Sequence, residues 1–314
     1  MNIKQISAVG LKVGDFDTFA DKELAAIKLL EHCAAIGSDF ALFPETINIY
    51  CGDGPDNPRS MTISEVAFDD LKPVSRLLGR AKELKIGLGF GLFLRENNHL
   101  HNYLFVYDKD GCDCGRYSKR FPTAGELDAG VIPGKSDQKL IEWEGLKAAG
   151  AICFDTQFEE IFADQKDSGA DLMLIPSMWS GGSPVDIYAY KYSLPTVLAY
   201  CAWSKIIGID GKIVVETGYR SEALRFGMSL PIATAKINFD SKAFHLEYNG
   251  QFIPEIENRY GPKVKLVLDN PNSVFYLSSH SPDLTVADVI KEYKLIVFQD
   301  MLKIYRKKLA AMPQ

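Results

Sequence analysis

Three short segments of this sequence each end abruptly at a side chain that can take part in chemistry. Residues 40–44 lead to Glu45, residues 114–118 lead to Lys119, and residues 148–152 lead to Cys153. In open α/β folds the C-terminal ends of strands form the ligand site. Three such ends could therefore bring a carboxylate, an ammonium group and a thiol into one pocket.

These three groups together would support a nucleophilic mechanism. A thiolate at Cys153 would attack a trigonal carbon, and Glu45 would take the thiol proton and later protonate the leaving amine. Lys119 and the backbone N–H of Phe154, at the start of a helix predicted from residue 155, would stabilise the oxyanion. Water would then hydrolyse the thioester with Glu45 as base, so the mechanism requires no metal and no organic cofactor.

Each residue also has an ordinary structural interpretation. A cysteine in an apolar segment is most often a small buried hydrophobic residue. A single lysine is usually a solvated charge, and a glutamate after a proline often lies in the first turn of a helix. Because spacing alone does not establish a catalytic set, these alternatives stay open at this point.

The pattern of predicted elements agrees with strand ends that converge. Apolar periodicity and turn residues predict two rounds of strand, helix and strand, with two hairpins between them. Strands are predicted at residues 4–12, 39–43, 86–94, 100–107, 113–118, 140–143, 146–153, 172–175, 197–207, 212–216 and 232–238. Helices are predicted at residues 18–36, 73–85 and 155–168 and from residue 183. This order predicts two stacked sheets faced by helices.

The segments around the three reactive residues resemble motifs of the nitrilase superfamily of carbon–nitrogen hydrolases. Residues 43–45 resemble the family's F-P-E, whose glutamate is the general base. Residues 117–126 resemble its lysine motif, and residues 151–179 resemble its nucleophile motif. The resemblance covers roughly residues 1–238 and implies an α/β fold, a four-layer αββα sandwich. It also implies that Glu126 positions substrate and supports the lysine.

The resemblance favours the amidase branch over the true nitrilases. The sequence at residues 153–155 is Cys-Phe-Asp, which is similar to the amidases, although the lysine motif at residues 119–126 is close to the K-x-x-P-T-x-x-E of nitrilases. We expect hydrolysis of a small amide or N-carbamoyl compound; a nitrilase, or a non-catalytic binding or scaffold protein, are the alternatives. Residues 188–203 match the family poorly, so the substrate stays open. Trp179 is assigned with Glu126 and Phe154 to the substrate-positioning and oxyanion groups, and the loops at residues 47–60 and 179–188 are expected to shape the pocket.

Three other patterns indicate chemistry less well. The H-x-H at residues 99–101 and the C-x-C at residues 112–114 could form a zinc set, but a hairpin centred near residue 110 would hold them roughly 20 Å apart. The G-x-G-x-G at residues 87–91 lies within a strand, where close backbone packing is the expected use. His280 has a spacing from the thiol near that of papain-like proteases, but the local signature of that family is missing.

The overall composition narrows the possible partners. The 314 residues carry a net charge of −6, which provides no basic surface for nucleic acid and no attraction to anionic membranes. We expect no signal peptide and no membrane span, because the N-terminus has no apolar core and no apolar stretch is long enough. The six cysteines show no disulfide framework, so reduced thiols in a cytoplasmic protein are expected.

The C-terminal part of the chain is predicted to be an appendage. We expect a hydrolase domain at residues 1–270 and an extension at residues 271–314. Residues 283–309 read as one long amphipathic helix, opened by a capping pair at Thr285 and Asp288. This helix could pack on its own domain or help to close a homodimer or larger homo-oligomer, which is the assembly we expect.

Overall fold

The computed structural model describes residues 2–11, 16–50, 62–217 and 231–312. Its strands are β1 (Ile3–Val9), β2 (Phe40–Leu42), β3 (Gly87–Glu96), β4 (His99–Tyr107), β5 (Asp113–Ser118), β6 (Ile141–Trp143), β7 (Leu146–Gly150), β8 (Leu172–Ser177), β9 (Thr196–Tyr200), β10 (Lys205–Ile207), β11 (Ile213–Glu216), β12 (Ile232–Asn238), β13 (Ser241–His245), β14 (Val264–Asp269) and β15 (Val274–Ser279). Its α-helices are α1 (Phe19–Ala35), α2 (Ile63–Val66), α3 (Ser75–Leu84), α4 (Ala124–Asp128), α5 (Glu159–Asp167), α6 (Gly182–Tyr192), α7 (Leu246–Asn249), α8 (Ile253–Tyr260), α9 (Val286–Tyr293) and α10 (Phe298–Ala310). Among the described residues, no helix has the length and apolar character needed to cross a bilayer.

Two six-stranded sheets form the body of the molecule. The first has the order β12-β1-β2-β3-β4-β5, and the second has the order β11-β10-β9-β8-β7-β6. The centre of each sheet is parallel, with β1, β2 and β3 in one and β7, β8 and β9 in the other. The carboxyl ends of these central strands therefore meet at one edge of each sheet, as the sequence predicted.

Three apolar cores separate four layers. One core packs α1 and α3 on the first sheet, a second lies between the two sheets, and a third packs α5 and α6 on the second sheet. Strand alternation produces this division: Leu104 and Val106 of β4 face the second sheet, whereas Tyr103 and Phe105 face the helices. The predicted four-layer αββα sandwich is confirmed.

Most predicted elements are present, and the exceptions have local causes. The predicted strand at residues 197–207 is wrong, because β9 and β10 are two antiparallel strands joined by a turn. In this turn the Ser204 hydroxyl accepts from the Tyr200 N–H and donates to the Tyr200 carbonyl. The predicted helix from residue 155 is a 3₁₀ helix (Cys153–Gln157) followed by α5, with Phe158 in an extended conformation between them.

Residues 241–310 form a smaller unit beside the sandwich. The strands β13, β15 and β14 make a three-stranded antiparallel sheet, and its apolar face packs against α8 and α9. A domain boundary at residue 270 would separate β14 from β15, which pair along their whole length, so the pairing favours a boundary near residue 240. The predicted single helix at residues 283–309 is wrong: the capping box of Thr285 and Asp288 is present, but Lys294 adopts a left-handed conformation that ends α9, and α10 begins at Phe298.

The strand register shows how the other sequence patterns are used. Tyr103 pairs with Ser118 and Tyr107 with Asp113, so the histidines at residues 99–101 and the cysteines at residues 112–114 lie towards opposite ends of the β4–β5 hairpin. The glycines at residues 87–91 lie within β3, and a Cβ atom at each would come within 2.9 Å of a neighbouring atom. The expected close packing is confirmed, and it brings Gly91 against the backbone of Glu45.

Candidate active site

The loop after β2 carries Glu45 into the interior. Beyond Leu42 the chain continues alongside β3, since the Gly91 N–H donates to the Pro44 carbonyl and the Ile47 N–H donates to the Gly91 carbonyl. Thr46 has a φ of 57°, so the chain turns sharply just after the glutamate. Glu45 is only 3% exposed, and this rules out the interpretation of it as a solvated helix-start residue.

The ammonium group of Lys119 joins two buried carboxylates. Its Nζ atom lies 2.9 Å from Oε1 of Glu45, and 3.0 and 2.8 Å from the two carboxylate oxygens of Glu126. Burial alone would lower the pKa of Lys119, but the two carboxylates outweigh burial and raise it above its usual range. Burial likewise acts to raise the pKa of Glu126, and the pairing with Lys119 outweighs it and lowers that pKa. All three groups are therefore held in their charged forms.

Glu126 is held by its own helix start. Thr123 caps α4, with its hydroxyl accepting from the Glu126 N–H while the Glu126 carboxylate accepts from the Thr123 N–H at 2.7 Å. This capping box fixes the carboxylate and points it at Lys119. The sequence therefore assigned Glu126 correctly to the neighbourhood of the lysine.

Asn102 is a member of this cluster that the sequence analysis did not find. Its side-chain nitrogen donates to Oε1 of Glu45 at 2.7 Å and to Oε1 of Glu126 at 2.8 Å. Its backbone carbonyl also accepts from the Lys119 N–H at 2.9 Å. A signal was available, because strand alternation places this amide on the same core-facing side as Leu104. A polar side chain at such a position needs buried partners.

Cys153 occupies the sharp turn after β7. Its φ is 47°, a left-handed conformation that is unfavourable for a non-glycine residue and is found most often where function demands it. The hydroxyl of Thr156 donates to the Cys153 carbonyl at 2.7 Å. The cysteine is thus not a simple strand residue packed in a core: it sits on a constrained elbow at a strand end.

The buried carboxylate of Asp155 ties this elbow to the end of β5. It accepts from the Ile152 N–H at 2.9 Å, the Phe121 N–H at 2.8 Å and the Tyr117 hydroxyl at 3.0 Å. Burial raises the pKa of Asp155 to about 6, and these three donors oppose the shift. The segments that carry Cys153 and Lys119 are therefore fastened to each other, through contacts that the sequence did not reveal.

The thiol of Cys153 is electrostatically coupled to the charged cluster. Burial and the Glu45 carboxylate raise the pKa of the Cys153 thiol to about 12, while Lys119, the Met178 N–H and the Ser177 hydroxyl act in the opposite direction. At neutral pH the resting group is the thiol, so any nucleophilic role requires that a base remove its proton. Glu45 is the carboxylate close enough to raise this pKa.

The end of β8 completes the surroundings of Glu45. The Met178 N–H donates to Oε2 of Glu45 at 3.0 Å, and Ser177 is bonded to both backbone groups of Trp179. Trp179 is 36% exposed, and Phe154, the residue after the cysteine, is 39% exposed. These two side chains therefore lie at the protein surface beside the buried cluster. Cys51 and residues 51–60 of one expected pocket loop lie outside the described residues.

Comparisons with known proteins agree with this architecture. The amidase from Nesterenkonia sp. superposes with a TM-score of 0.61 at 18% identity, over 74% of this chain and 90% of that one. A carbon-nitrogen hydrolase from Helicobacter pylori G27 superposes with a TM-score of 0.60 at 15% identity, over 82% and 93%. At such identities the likeness establishes the fold.

The sequence comparisons identify the family. The 2-oxoglutaramate amidase of Bacillus subtilis is 30% identical over 86 residues, 27% of this chain and 33% of the relative. The N-carbamoylputrescine amidase of Arabidopsis thaliana is 24% identical over 194 residues, 58% of this chain and 62% of the relative. The chain thus spans less than two thirds of the length of these relatives. The family model for carbon-nitrogen hydrolases matches residues 5–190, more than half of the chain, and the protein belongs to that family.

Proposed function

We propose that this protein is an amidase that hydrolyses the C–N bond of a small amide or N-carbamoyl compound through a cysteine thioester. The observation that carries the proposal is the pairing of one buried ammonium, Lys119, with two buried carboxylates beside Cys153. Taking three charges out of water is unfavourable unless they are paired, and even then the cluster adds little to stability. Such an arrangement is better explained by chemistry.

In the proposed first step the Cys153 sulfur attacks the amide carbon while its proton passes to Glu45. The negative charge that develops on the amide oxygen is stabilised by Lys119 and the Phe154 N–H. As the tetrahedral intermediate collapses, Glu45 returns the proton to the departing nitrogen and ammonia or an amine leaves. The product of this step is a thioester on Cys153.

In the second step a water molecule attacks the thioester carbon and Glu45 takes its proton. The C–S bond breaks, the carboxylic acid leaves, and the proton returns to the sulfur, so that one water is consumed for each C–N bond broken. Glu126 and Asn102 act as positioning residues, because they contact Lys119 and Glu45 rather than the reacting atoms. Trp179 and Phe154 flank the entrance to the substrate.

The relatives support this reading. Both curated relatives named above are amidases by name, and one acts on an N-carbamoyl compound. The Nesterenkonia amidase has been solved after Michael addition of acrylamide at its active-site cysteine. The short motif Cys-Phe-Asp at residues 153–155 favours an amidase, whereas the capping box formed by Thr123 and Glu126 belongs to the segment similar to nitrilases.

The experiment is a screen for ammonia release from amides, N-carbamoyl compounds and nitriles. The proposal expects turnover of an amide or carbamoyl compound that is lost in Cys153→Ala and kept in Cys112→Ala, a matched variant at an exposed thiol. Turnover of nitriles alone would move the protein to the nitrilases. A folded protein that turns over no compound, and whose Cys153 resists alkylation, would favour a binding or scaffold role.

Homo-oligomer formation remains a prediction. In α10 only Met301 is buried, whereas Ile304, Tyr305 and Leu309 are exposed. A chain that ends at residue 297 removes this helix and keeps α9, whose residues belong to the core of the smaller unit. If α10 closes a dimer, the truncated chain should have half the solution mass of the full chain. An unchanged oligomeric state would rule out this role for α10.

A further inference from the structure

A second cavity, remote from Glu45 and Cys153, lies where the smaller C-terminal unit meets the sandwich. It has a volume of about 400 Å³ and is lined by the C-terminal turns of α5 and α6, the start of β13 and one face of α10. Four elements that are distant in sequence therefore form its walls. The cavity exists only because residues 241–310 pack beside the second sheet.

The lining of this cavity is rich in cations, although the whole chain has a net charge of −6. Five basic side chains line it, namely Lys166, Lys191, Lys242, Lys303 and Arg306. Three acidic side chains also line it, namely Asp167, Asp171 and Asp300. The excess of positive charge in this place therefore has to be explained by what the cations contact.

Two of the five cations are already neutralised. Lys303 lies 2.8 Å from Asp167, and Lys191 pairs with Glu159. Lys166, Lys242 and Arg306 form no ion pair with any residue in the part of the chain that the structure describes.

The two remaining carboxylates do not balance those three cations. Asp171 accepts a hydrogen bond from the Lys147 N–H at 3.1 Å, and Asp300 lies in the first turn of α10. Both act only through space on Lys166.

Lys166 is the most constrained of the unpaired cations. Its ammonium group reaches two backbone carbonyls, those of Ala170 and Ser193, each at 3.4 Å, which is long for a charged donor. Burial, with Lys242 and Lys303 nearby, lowers the pKa of Lys166 to about 8. A partly buried ammonium with other cations beside it and only weak acceptors would gain from a counter-anion.

We propose that this cavity binds a small oxyanion, a phosphate or carboxylate group of a metabolite, with Lys166 and Lys242 as its principal ligands. The cavity is larger than the anionic group alone, so the remainder of the ligand would extend along α10 towards Arg306. The site borders the segment that carries the reactive thiol: Gln165, next to Lys166, donates to the Gly150 carbonyl and accepts from the Gly150 N–H at the end of β7.

The test measures binding, so it does not depend on the proposed enzymatic activity. Thermal unfolding and titration calorimetry would be recorded with inorganic phosphate and with succinate, at an ionic strength held constant with sodium chloride. A ligand that binds only the folded state raises Tm with increasing concentration. The full chain is used, together with the variants Lys166→Met and Lys242→Met. The matched control is Lys308→Met, an exposed lysine of α10 outside the cavity lining.

We expect a saturable rise in Tm with at least one of the two anions, for both the wild-type chain and Lys308→Met. Loss of one charged ligand should weaken the Kd by about tenfold or more in Lys166→Met and in Lys242→Met. Response to phosphate alone would assign a phosphate group, and response to succinate alone would assign a carboxylate. The site is disproved if neither anion raises Tm beyond sodium chloride, or if the two variants bind as tightly as Lys308→Met. Cys153→Ala should bind like the wild type, which separates this result from that of the ammonia-release screen.

Discussion

The contact between Gly91 and Glu45 allows the position of the proposed base to be tested by adding one methyl group. A Cβ atom at residue 91 would lie 2.8 Å from the Cα of Glu45 and 3.3 Å from the Cβ of Pro176. Carbon atoms pack at about 3.5 Å or more, so Gly91→Ala requires a separation of roughly 0.7 Å between β3 and the Glu45 loop. The obstructing atom belongs to the backbone, so rotation of a side chain cannot relieve the overlap.

The expected consequences of Gly91→Ala follow from this displacement. Overpacking of a core typically destabilises a protein by about 1–3 kcal/mol. The displaced carboxylate would lose its alignment with Cys153 and Lys119, and a misplacement of about 1 Å can lower a catalytic rate by about two orders of magnitude. We therefore expect kcat to fall by about one to two orders of magnitude in a protein that still folds.

The assay compares ammonia release and urea unfolding for Gly91→Ala with those of Gly79→Ala. Gly79 lies on the exposed side of α3, and a Cβ atom there meets nothing within 4 Å. Because alanine is the better helix former by about 1 kcal/mol, Gly79→Ala should be slightly more stable and fully active. If Gly91→Ala keeps both wild-type stability and a kcat within a few-fold of wild type, close packing does not hold Glu45 in place and this reasoning is wrong.

Other predictions concern the reactive cluster. Cys153→Ala should abolish hydrolysis in a folded protein, and Cys153→Ser should be nearly inactive because an alkoxide is much harder to form than a thiolate; undiminished turnover would exclude the thioester mechanism. Lys119→Ala should raise the barrier by about 2.7–4 kcal/mol, as for a lost oxyanion donor, and Glu45→Gln should remove most activity with little loss of fold; a kcat within a few-fold of wild type would return either residue to a structural role. Since the pKa of the Cys153 thiol is about 12, its alkylation by iodoacetamide should accelerate about tenfold per pH unit from pH 7 to 9, and a plateau within that range would show a lower pKa. Asn102→Leu should lower kcat while the chain still folds, and Asn102→Asp, which adds a third buried carboxylate, should be the less stable variant by urea unfolding; the reverse order would contradict the contacts described for this amide.

Much of the site could be predicted because its signals are local. Glu45, Lys119 and Cys153 each follow a strand that periodicity and turn residues identify, and parallel strands bring their carboxyl ends to one edge. The capping box of Thr123 and Glu126 is a pattern of four consecutive residues, and it places the carboxylate beside Lys119. The two-sheet sandwich followed from the order of these same elements.

The tertiary structure alone decided which side chains meet across the elements. Nothing local in the sequence pairs Asn102 with both carboxylates, or joins Asp155 to Tyr117 across a separation of 38 residues. Such contacts depend on strand register and on how two sheets stack, which no local propensity encodes. The break of the C-terminal helix at Lys294 has the same origin, because the apolar period continues through residues 286–305 while the chain turns so that α9 packs on its own three-stranded sheet and α10 lies against the sandwich.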